Sequence, residues 1–377
     1  MATCVAALGL ADKFSQAMRA LDFSPINKYS LCPPLVLPVT RAAFLDVYPT
    51  VRTIVSDYLV KQLPKCPQRA VEWVEKVLDY NVPGGKLKRG LAVVHAFQCL
   101  RPQASENDTN IAVRLGWALE ILQACFLVAD DIMDSSLTRR GRPCWYKVPS
   151  VGMAAVNDTL LLENSVYVLV RDSVADEKLR NNILSIVAEA KLNTVLGQHL
   201  DSDITPLSAC TPEHYSNIVR LKTSHYSFYL PVALALTLAH GHIVDEPREL
   251  QQLCYEMGYY FQAQDDYLDC FGDSAVTGKV GTDIQDGKCT WLLIKALESM
   301  DRNGAQYQLL EANYGKSDPD HVNKVKELYC SLQLEQKYEE FESDEFRKLK
   351  DQIECFPLIP LQELFTDLLT DLHQRKK

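Results

Sequence analysis

The sequence is short of glycine, which accounts for only 16 of its 377 residues. Globular proteins average ~7% glycine, and sheet-rich folds use it in their many turns. Long alternations of polar and apolar residues bounded by turn residues are also missing, which disfavours an extended sheet. Both absences favour an all-α fold, in a chain long enough for one large domain or two modest ones.

Three further absences narrow the classes of function. The twelve cysteines include no Cys-x-x-Cys pair and follow no secretory signal, which indicates a reducing cytosolic or organellar compartment. The net charge is −10, not positive, which argues against a nucleic-acid binder and against a membrane surface. No apolar run approaches the ~20 residues that span a bilayer, so an integral membrane protein is not expected.

The first 40 residues differ in character from the rest. Met1 to Ala20 could form a weakly amphipathic helix, but its acidic residues make it a poor mitochondrial presequence, since presequences are Arg-rich and acid-poor. Four prolines then indicate an extended linker: Pro25, Pro33, Pro34 and Pro38. We therefore expect a partly flexible extension over 1–40, a catalytic domain over 41–377 and a cytoplasmic location.

Two acidic blocks of the same form lie in the two halves of the chain, Asp130 to Asp134 and Asp265 to Asp269. Each follows a strongly apolar run, with no Gly or Pro between the run and the block, which predicts that each closes a long buried helix. In a helix the outer carboxylates, four residues apart, stand on one face, while the middle Asp points aside. The outer pairs are Asp130 with Asp134, and Asp265 with Asp269.

One such block alone is usually solvated surface or a helix end. Two copies, neither with Lys or Arg in its preceding turns, favour a functional role. Repulsion on a surface costs only ~0.2–0.5 kcal/mol per pair, but burying such charges costs several kcal/mol unless cations arrive. Mg²⁺ fits, because it takes one or two carboxylates and leaves positions for water and phosphate oxygens. Two facing blocks therefore predict a diphosphate clamp.

Basic residues near the blocks suit anions. Lys86 and Arg89, after a Pro-Gly-Gly turn, share one face of a predicted helix start with free backbone N–H groups. Arg139 and Arg140 cannot share a helical face, so they suit two different anions, which guanidinium groups bind bidentately. Gln123 lies two turns before the first block, on the same side. The alternative for the turn with Lys86 and Arg89 is a solvated basic turn.

The segment from Lys222 to Tyr229 mixes a cation, hydroxyl groups and aromatic rings ahead of Pro231. A proline there would break or kink a helix and free backbone carbonyls upstream. Carbonyls, hydroxyls and ring faces can all stabilise a carbocation. After the second block, the Gly-rich stretch 277–288 adds Lys279 and Lys288 in a predicted loop that can close over phosphates.

In order, these motifs resemble those of the trans-isoprenyl diphosphate synthases, most closely the animal farnesyl-forming members. The similarity runs from about Arg41 to the C-terminus. It rests on four stretches: Pro83 to Gly90, Phe126 to Gly141, Lys222 to Pro231, and Phe261 to Asp283. One Asp-Asp-x-x-Asp motif is weak evidence, whereas an ordered set over most of a chain is specific.

The resemblance implies a single-domain, all-α isoprenoid-synthase bundle around a deep central cavity, working as a homodimer with ~3 Mg²⁺ per site. It also implies head-to-tail condensation of isopentenyl diphosphate with dimethylallyl and then geranyl diphosphate, giving farnesyl diphosphate with some geranylgeranyl diphosphate. Loss of diphosphate would leave an allylic cation. The double bond of isopentenyl diphosphate would attack this cation, and a proton would leave to the departing diphosphate.

The resemblance assigns roles by position. The implied metal ligands are Asp130, Asp134, Asp265 and Asp269. The implied isopentenyl diphosphate ligands are Lys86, Arg89, Gln123 and Arg140. The allylic diphosphate would be bound by Arg139, Lys222, Thr223, Gln262, Lys279 and Lys288. The implied catalytic residues are Lys222, Thr223, Gln262, Asp130 and Asp265.

One position departs from the animal pattern. Farnesyl-forming relatives carry two aromatic residues just before the first block, whereas this chain has Cys125 and Phe126. These side chains would face the growing product, so Cys125 loosens the cavity floor unless a bulky neighbour from another helix fills the gap. Lys88, His225 and Gly287 also differ from many relatives, and we expect these changes to be tolerated.

Three alternative functions fit the same scaffold. A geranylgeranyl diphosphate synthase would differ in product length. A terpene synthase, which is a lyase, needs no isopentenyl site, yet all the residues expected there are present. A non-catalytic regulatory subunit should have lost residues of the acidic blocks, and none is lost. The sequence therefore favours the farnesyl-forming transferase.

Overall fold

The computed structural model describes residues 38–62, 65–203, 206–273 and 281–375. These residues are mostly helical, and the chain from residue 38 onward forms one compact unit. The expected extension over 1–40 lies outside the described residues except for its last three. The first helix of the described residues begins at Arg41, where the Thr40 side chain caps it by accepting the Ala43 N–H.

The α-helices of the described chain follow in sequence order: α1 Arg41–Asp46, α2 Tyr48–Gln62, α3 Gln68–Asn81, α4 Lys88–Leu100, α5 Glu106–Met133, α6 Ala155–Ser173, α7 Glu177–Ser202, α8 Pro212–Val219, α9 Leu230–His240, α10 Arg248–Phe271, α11 Asp283–Asp286, α12 Trp291–Glu298, α13 Ala305–Asn313, α14 Pro319–Ser331, α15 Leu334–Glu354 and α16 Gln362–His373. A hairpin of β1 Thr138–Arg139 and β2 Arg142–Pro143 follows α5. A π-helix, Arg220–Tyr229, joins α8 to α9.

Helix α5 runs through the middle of the bundle and ends at the first acidic block, with Asp134 as its C-cap. Its N-cap, Ser105, accepts the Asp108 N–H. By length and composition α5 could cross a membrane, but 72% of its most apolar window is buried inside the fold. That burial is typical of a core helix, and α5 packs most extensively against α4 and α6.

Three apolar cores hold the bundle. The first joins α1 to α7 around Trp117, the second joins α8, α10 and α12 to α15 around Trp291, and the third joins α4, α9, α10, α15 and α16 around Tyr260. Tyr226 of the π-helix lies in the first core and Phe228 in the third. The π-helix therefore contributes side chains to two of the cores.

Two glycines let α7 and α10 pack closely against the π-helix. A Cβ on Gly197 would lie 2.2 Å from the backbone nitrogen of Lys222, and one on Gly258 would lie 2.1 Å from the Ser224 Oγ. Only glycine permits such close approach of backbones. This close packing fixes the positions of Lys222 and its neighbour Thr223 between the two helices.

At Pro231, where the sequence predicts a broken or kinked helix, the chain stays helical, and the segment just before it is the π-helix. Pro231 stands in the first turn of α9, where its missing N–H costs little. Just before it, the Leu230 N–H bonds the His225 carbonyl, five residues back, so the chain continues as a helix with wider turns. Such segments occur frequently at functional sites.

Candidate active site

The first acidic block meets one cation from the hairpin that follows it and two from distant parts of the chain. Asp130 accepts hydrogen bonds from Lys222 Nζ at 3.2 Å and from Arg139 Nη2 at 3.3 Å. Asp134 accepts one from Lys288 Nζ at 2.9 Å. The structure therefore brings together five of the residues assigned to the metal and the allylic diphosphate.

A third carboxylate, Asp201 at the end of α7, joins this cluster. It accepts from Lys222 Nζ at 2.6 Å and from Lys288 Nζ at 2.8 Å, and its side chain is 13% exposed. Asp130, Asp134 and Asp201 are thus balanced by Lys222, Lys288 and Arg139. The sequence reasoning missed Asp201 as a site residue. The available signal was a polar residue that ends a long apolar helix.

The pKa shifts follow from this pairing. Burial raises the pKa of Asp130, but the charges of Lys222 and Arg139 outweigh burial and hold it below its usual value. The pKa of Asp201 is lowered in the same way, because Lys222 and Lys288 outweigh its burial. The pKa of Asp134 is raised, first by burial and then by the Asp130 charge. The cluster is therefore a tight set of alternating charges.

The second residue of each block is bonded to side chains or backbone of neighbouring elements. Asp131 accepts from Arg139 at 2.6 Å. Asp266 accepts from Tyr215 Oη at 2.7 Å and from the Trp291 N–H at 2.8 Å. Burial raises the pKa of Asp266 to about 7, opposed by these donors and by Gln262. Both inner carboxylates thus tie neighbouring elements to the blocks.

The outer carboxylates of the second block lie in the last turns of α10. Asp265 accepts from Arg375 Nη2 at 2.6 Å, and the Arg375 guanidinium lies 4.8 Å from the Phe261 ring centre. Asp269 accepts the Asp283 N–H at 3.0 Å, which anchors the start of α11. The basic C-terminus thus reaches the site through Arg375. The last two residues of the chain, Lys376 and Lys377, lie outside the described residues, and so does the predicted ligand Lys279.

The proposed cation-facing residues form one chain of hydrogen bonds. Thr223 Oγ1 donates to Gln262 Oε1 at 2.7 Å, and Gln262 Nε2 donates to Asp266 Oδ1 at 2.9 Å. Because Asp266 is fixed by its other donors, the orientation of Gln262 is also fixed. Thr223 and Gln262 therefore join the π-helix to α10 one residue away from Lys222.

Arg139 and Arg140 diverge because they lie at a tight hairpin, not on a helix. Arg140 and Gly141 have φ of 56° and 71°, the left-handed pair of a type I′ turn. Arg139 turns toward the first block, while Arg140 donates to the Asn81 carbonyl at 3.1 Å and covers the turn before α4. A Cβ on Gly85 would lie 2.7 Å from Arg140 Nη2. The two arginines therefore reach different groups of the protein.

The remaining residues assigned to isopentenyl diphosphate lie near that turn. Arg89 donates to Ser227 Oγ at 2.8 Å and to Tyr226 Oη at 3.1 Å. The pKa of Lys86 is lowered by burial and then by the charge of Arg375. Gln123 is 7% exposed, and its Oε1 has no partner among the described residues. Buried polar atoms without a partner are uncommon, so Gln123 is suited to a ligand.

The start of α4 differs from the anion site that the sequence predicted. The first N–H groups of α4 are not free, because Gly90 donates to Glu120 Oε1 at 2.8 Å. A bound anion at this turn would therefore be held by side chains. The sequence could not show this, since Glu120 lies thirty residues away on α5.

The predicted chain-length residues, Cys125 and Phe126, are half-buried on α5. The Cys125 thiol donates to the Thr159 carbonyl of α6 at 3.2 Å. Phe126 packs edge-on against Tyr226, with ring centres 5.2 Å apart. A ring from another helix, Tyr226, therefore lies beside Phe126, while the Cys125 side chain faces α6.

The donor set fits Mg²⁺. The candidate ligands are carboxylate oxygens, which suit a hard cation, and on Asp130, Asp134 and Asp265 they already accept charged donors. Within the described ranges, three Asp, Glu, His or Cys side chains do not converge on one point. Mg²⁺ does not require this, because it commonly takes one or two carboxylates and completes its shell with water and phosphate oxygens.

The family model described as polyprenyl synthetase matches residues 71–332. Farnesyl pyrophosphate synthase 1 of Parthenium argentatum is 43% identical over 343 residues, covering 89% of this chain and 98% of that protein. Farnesyl pyrophosphate synthase of Zea mays is 41% identical over 348 residues, covering 90% and 97%. Both relatives are plant proteins.

A solved structure shares the fold. The T. brucei farnesyl diphosphate synthase complexed with risedronate superposes with a TM-score of 0.82 at 31% identity. The match covers 89% of this chain and 99% of that one. The similarity therefore extends over nearly the whole described chain.

Proposed function

The chain belongs to the polyprenyl synthetase family, and on that premise we propose that it is a farnesyl diphosphate synthase. The all-α isoprenoid-synthase fold expected from the sequence is confirmed. The expected prenyltransferase activity is likewise that of its relatives. The named relatives are plant enzymes, whereas the motifs favoured animal ones. The reaction joins isopentenyl diphosphate to dimethylallyl and then to geranyl diphosphate.

One observation supports this function most directly. Lys222, Lys288 and Arg139 converge on the carboxylates of the first block, while Arg89 and Arg140 lie at a separate turn. The reaction needs two diphosphates held apart with their reacting carbons together. Two separate groups of cations meet that need, with the first group beside the carboxylates proposed to bind the metal.

The cluster at the first block explains why a metal would be needed with the allylic substrate. Lys222 and Lys288 now neutralise Asp130, Asp134 and Asp201. When these two lysines turn to an incoming diphosphate, the three carboxylates lose them as partners. We propose that Asp130, Asp134, Asp265 and Asp269 then hold Mg²⁺, about three ions per site, which supplies Lewis-acid stabilisation of the leaving diphosphate.

The protein groups divide the remaining tasks. Arg139, Lys222 and Lys288 would hold the allylic diphosphate and stabilise negative charge on it as the carbon–oxygen bond breaks. The Thr223 hydroxyl and Gln262 carbonyl, fixed by their mutual hydrogen bond, would offer lone pairs to the allylic cation. After the new carbon–carbon bond forms, the proton leaves to the released diphosphate, which those three cations keep in place.

One experiment tests the function. Purified protein with Mg²⁺ is incubated with radiolabelled isopentenyl diphosphate and, in turn, dimethylallyl or geranyl diphosphate. We expect labelled farnesyl diphosphate as the main product from either starter. A cyclic hydrocarbon formed without isopentenyl diphosphate would indicate a terpene synthase. A geranylgeranyl main product would indicate the longer-chain enzyme.

The separate roles of the two cation groups give a first prediction. Arg89→Ala should raise the KM for isopentenyl diphosphate roughly tenfold or more, because charge-assisted contacts are worth ~1.5–3 kcal/mol. The KM for geranyl diphosphate should change little. Steady-state kinetics with each substrate varied in turn measures both constants.

Lys88→Ala is the matched control. Lys88 is the adjacent cation, but it is half-exposed and pairs with Asp371. Its removal should change neither KM by more than about twofold, as for a surface ion pair. Equal rises of both constants in Arg89→Ala would show that the turn does not belong to one substrate.

We propose that the protein is a homodimer. Apolar side chains are exposed on neighbouring turns of α6 and α7, including Leu160 at 54%, Leu192 at 59% and Val195 at 55%. The two helices are adjacent there, because Lys191 of α7 pairs with Glu163 of α6. A contiguous exposed apolar surface is typical of an interface, and a two-fold dimer would bury it against its own copy.

A second prediction tests this surface. Leu160→Glu combined with Val195→Glu should convert the dimer to monomers, because each carboxylate would be buried without a partner. Light scattering coupled to size-exclusion chromatography measures the mass. The control replaces the exposed Ile359 by Glu, since Ile359 is 73% exposed and lies between α15 and α16. A wild-type monomer, or a double variant that remains dimeric, would contradict the proposal.

We propose a cytoplasmic location. The support is the sequence itself, in which Asp12 and Asp22 interrupt an N-terminal segment that would otherwise resemble a presequence. A C-terminal fluorescent tag on the full chain, imaged with a mitochondrial marker, tests this location. Co-localisation with the marker would contradict it.

A further inference from the structure

The first turn of α4 is completed by a side chain from another helix. The turn begins after Leu87, whose φ is 56° and whose side chain makes no cap. The first N–H groups of a helix need acceptors from outside it. The Gly90 N–H donates to Glu120 Oε1 at 2.8 Å, and the Arg89 N–H donates to the same carboxylate. Glu120 is only 4% exposed.

Close packing fixes this arrangement. A Cβ on Gly90 would lie 2.8 Å from the Gly116 carbonyl and 2.9 Å from Glu120 Cγ. A Cβ on Gly116 would lie 2.6 Å from the Gly90 carbonyl. Helices α4 and α5 therefore cross at two glycines, with Glu120 one turn beyond on α5. The crossing leaves little freedom for the position of Arg89.

The Glu120 carboxylate interacts electrostatically with two residues assigned to isopentenyl diphosphate, Arg89 and Arg140. Burial raises the pKa of Glu120, and the Gly90 N–H with the Arg89 and Arg140 charges opposes that rise. Gln123 stands three residues further along α5, on the same face. The Glu120 charge therefore opposes the mutual repulsion of Arg89 and Arg140 before substrate arrives.

We propose that Glu120 is a positioning residue for isopentenyl diphosphate, which sets the first turn of α4 and keeps Arg89 and Arg140 together on the side of Gln123. It acts through these residues and need not touch the substrate. The inference rests on the proposed function, because it assumes that isopentenyl diphosphate binds at this turn.

Glu120→Gln tests the proposal. The amide oxygen can still accept the Gly90 N–H, but the charge and the second acceptor oxygen are lost, so the helix turn remains while its cations are released. We expect the KM for isopentenyl diphosphate to rise roughly tenfold, since small misplacements of binding groups are costly. The KM for geranyl diphosphate and kcat should change less than about twofold. Glu120→Asp, which keeps the charge but falls one methylene short, should lie between.

Glu342→Gln is the matched control. Glu342 is 6% exposed and accepts from Tyr338 within α15. Its neutralisation should lower the melting temperature without separating the two KM values. If Glu120→Gln behaves like this control, or affects both substrates alike, Glu120 is merely structural and the proposal is overturned. A lower KM for isopentenyl diphosphate would also overturn it.

Direct binding distinguishes this inference from the proposed function. Calorimetric titration of wild type and Glu120→Gln with isopentenyl diphosphate alone should show weaker binding to the variant. A wild-type protein that binds isopentenyl diphosphate but makes no prenyl product would contradict the proposed function and leave the Glu120 comparison readable. Unchanged binding to the variant, with normal wild-type turnover, would overturn the Glu120 role alone. Should Glu120→Gln fail to fold, Glu120→Asp supplies the same comparison.

Discussion

Asp130→Ala and Asp265→Ala should each lower kcat by about a thousandfold at saturating Mg²⁺. Each removes a candidate ligand of the ions that neutralise the leaving diphosphate, a contribution of several kcal/mol at the transition state, and ~1.4 kcal/mol is tenfold in rate. Asp130 is also the partner of Lys222 and Arg139, so its loss disturbs two cations assigned to the same diphosphate.

The two variants should differ in detail. Lys222 keeps Asp201 as a partner when Asp130 is lost, so the π-helix should stay in place and the melting temperature should fall only modestly. Loss of Asp265 removes the carboxylate partner of Arg375, and the contact of the guanidinium with the Phe261 ring remains. Both should need more Mg²⁺ for half-maximal rate than wild type does. Circular dichroism checks the fold, and metal titration of the initial rate checks the ligand role.

Asp172→Ala is the control for charge removal as such. Asp172 pairs with Arg114 at 3.3 Å on the surface of α6, with 49% of its side chain exposed. Its loss should leave kcat and the Mg²⁺ dependence unchanged, because surface pairs are worth ~0–1 kcal/mol. Losses below tenfold in both block variants would show that the blocks do not clamp the metal.

The parts of the site that were predictable depend on local spacing. The i, i+4 arrangement places Asp130 and Asp134 together, and the structure shows both of them within the charged cluster that contains Lys222 and Lys288. The all-α fold likewise follows from sparse glycine and helical periodicity. These features are set by residues within a turn or two of each other, which a sequence displays directly.

The parts that were missed depend on packing between distant elements. Asp201 enters the site because Gly197, one turn earlier on α7, lets the π-helix approach within contact of the backbone. Glu120 reaches the start of α4 only because Gly90 and Gly116 cross closely. Neither residue belongs to a local motif, and each is defined by its partner across the bundle. The hairpin of Arg139 and Arg140 is intermediate, since their divergence was predictable but its geometry was not.

Phe126→Ala should shift the product from farnesyl toward geranylgeranyl diphosphate, with the C20 fraction rising roughly tenfold or more. Phe126 and Tyr226 pack edge to face with ring centres 5.2 Å apart, so the two rings together would close the space ahead of the growing chain. Selection against one extra methylene in a fitted pocket is only ~1–3 kcal/mol, and an isoprene unit gains burial wherever room exists. Removing one ring should therefore let the chain extend again.

Cys125→Phe is expected to act in the opposite direction. A second ring beside Phe126 should suppress the small amount of C20 product that we expect from wild type. The Cys125 thiol bonds the Thr159 carbonyl of α6, so the larger ring must displace that contact and should lower the melting temperature by a few degrees. Cys125→Ala is the control, because it removes the thiol without adding a ring and should leave the C15 and C20 proportions close to those of wild type.

Product analysis decides the roles of these positions. Each protein is incubated with geranyl diphosphate and excess radiolabelled isopentenyl diphosphate, and the products are dephosphorylated and separated by length. A product rich in C20 from Phe126→Ala, together with only C15 product from Cys125→Phe, would identify both residues as the floor of the product cavity. If only Phe126→Ala shifts the product, Tyr226 already fills the space beside Phe126 and Cys125 belongs to the contact with α6. Identical proportions in wild type and both variants would remove Cys125 and Phe126 from control of product length.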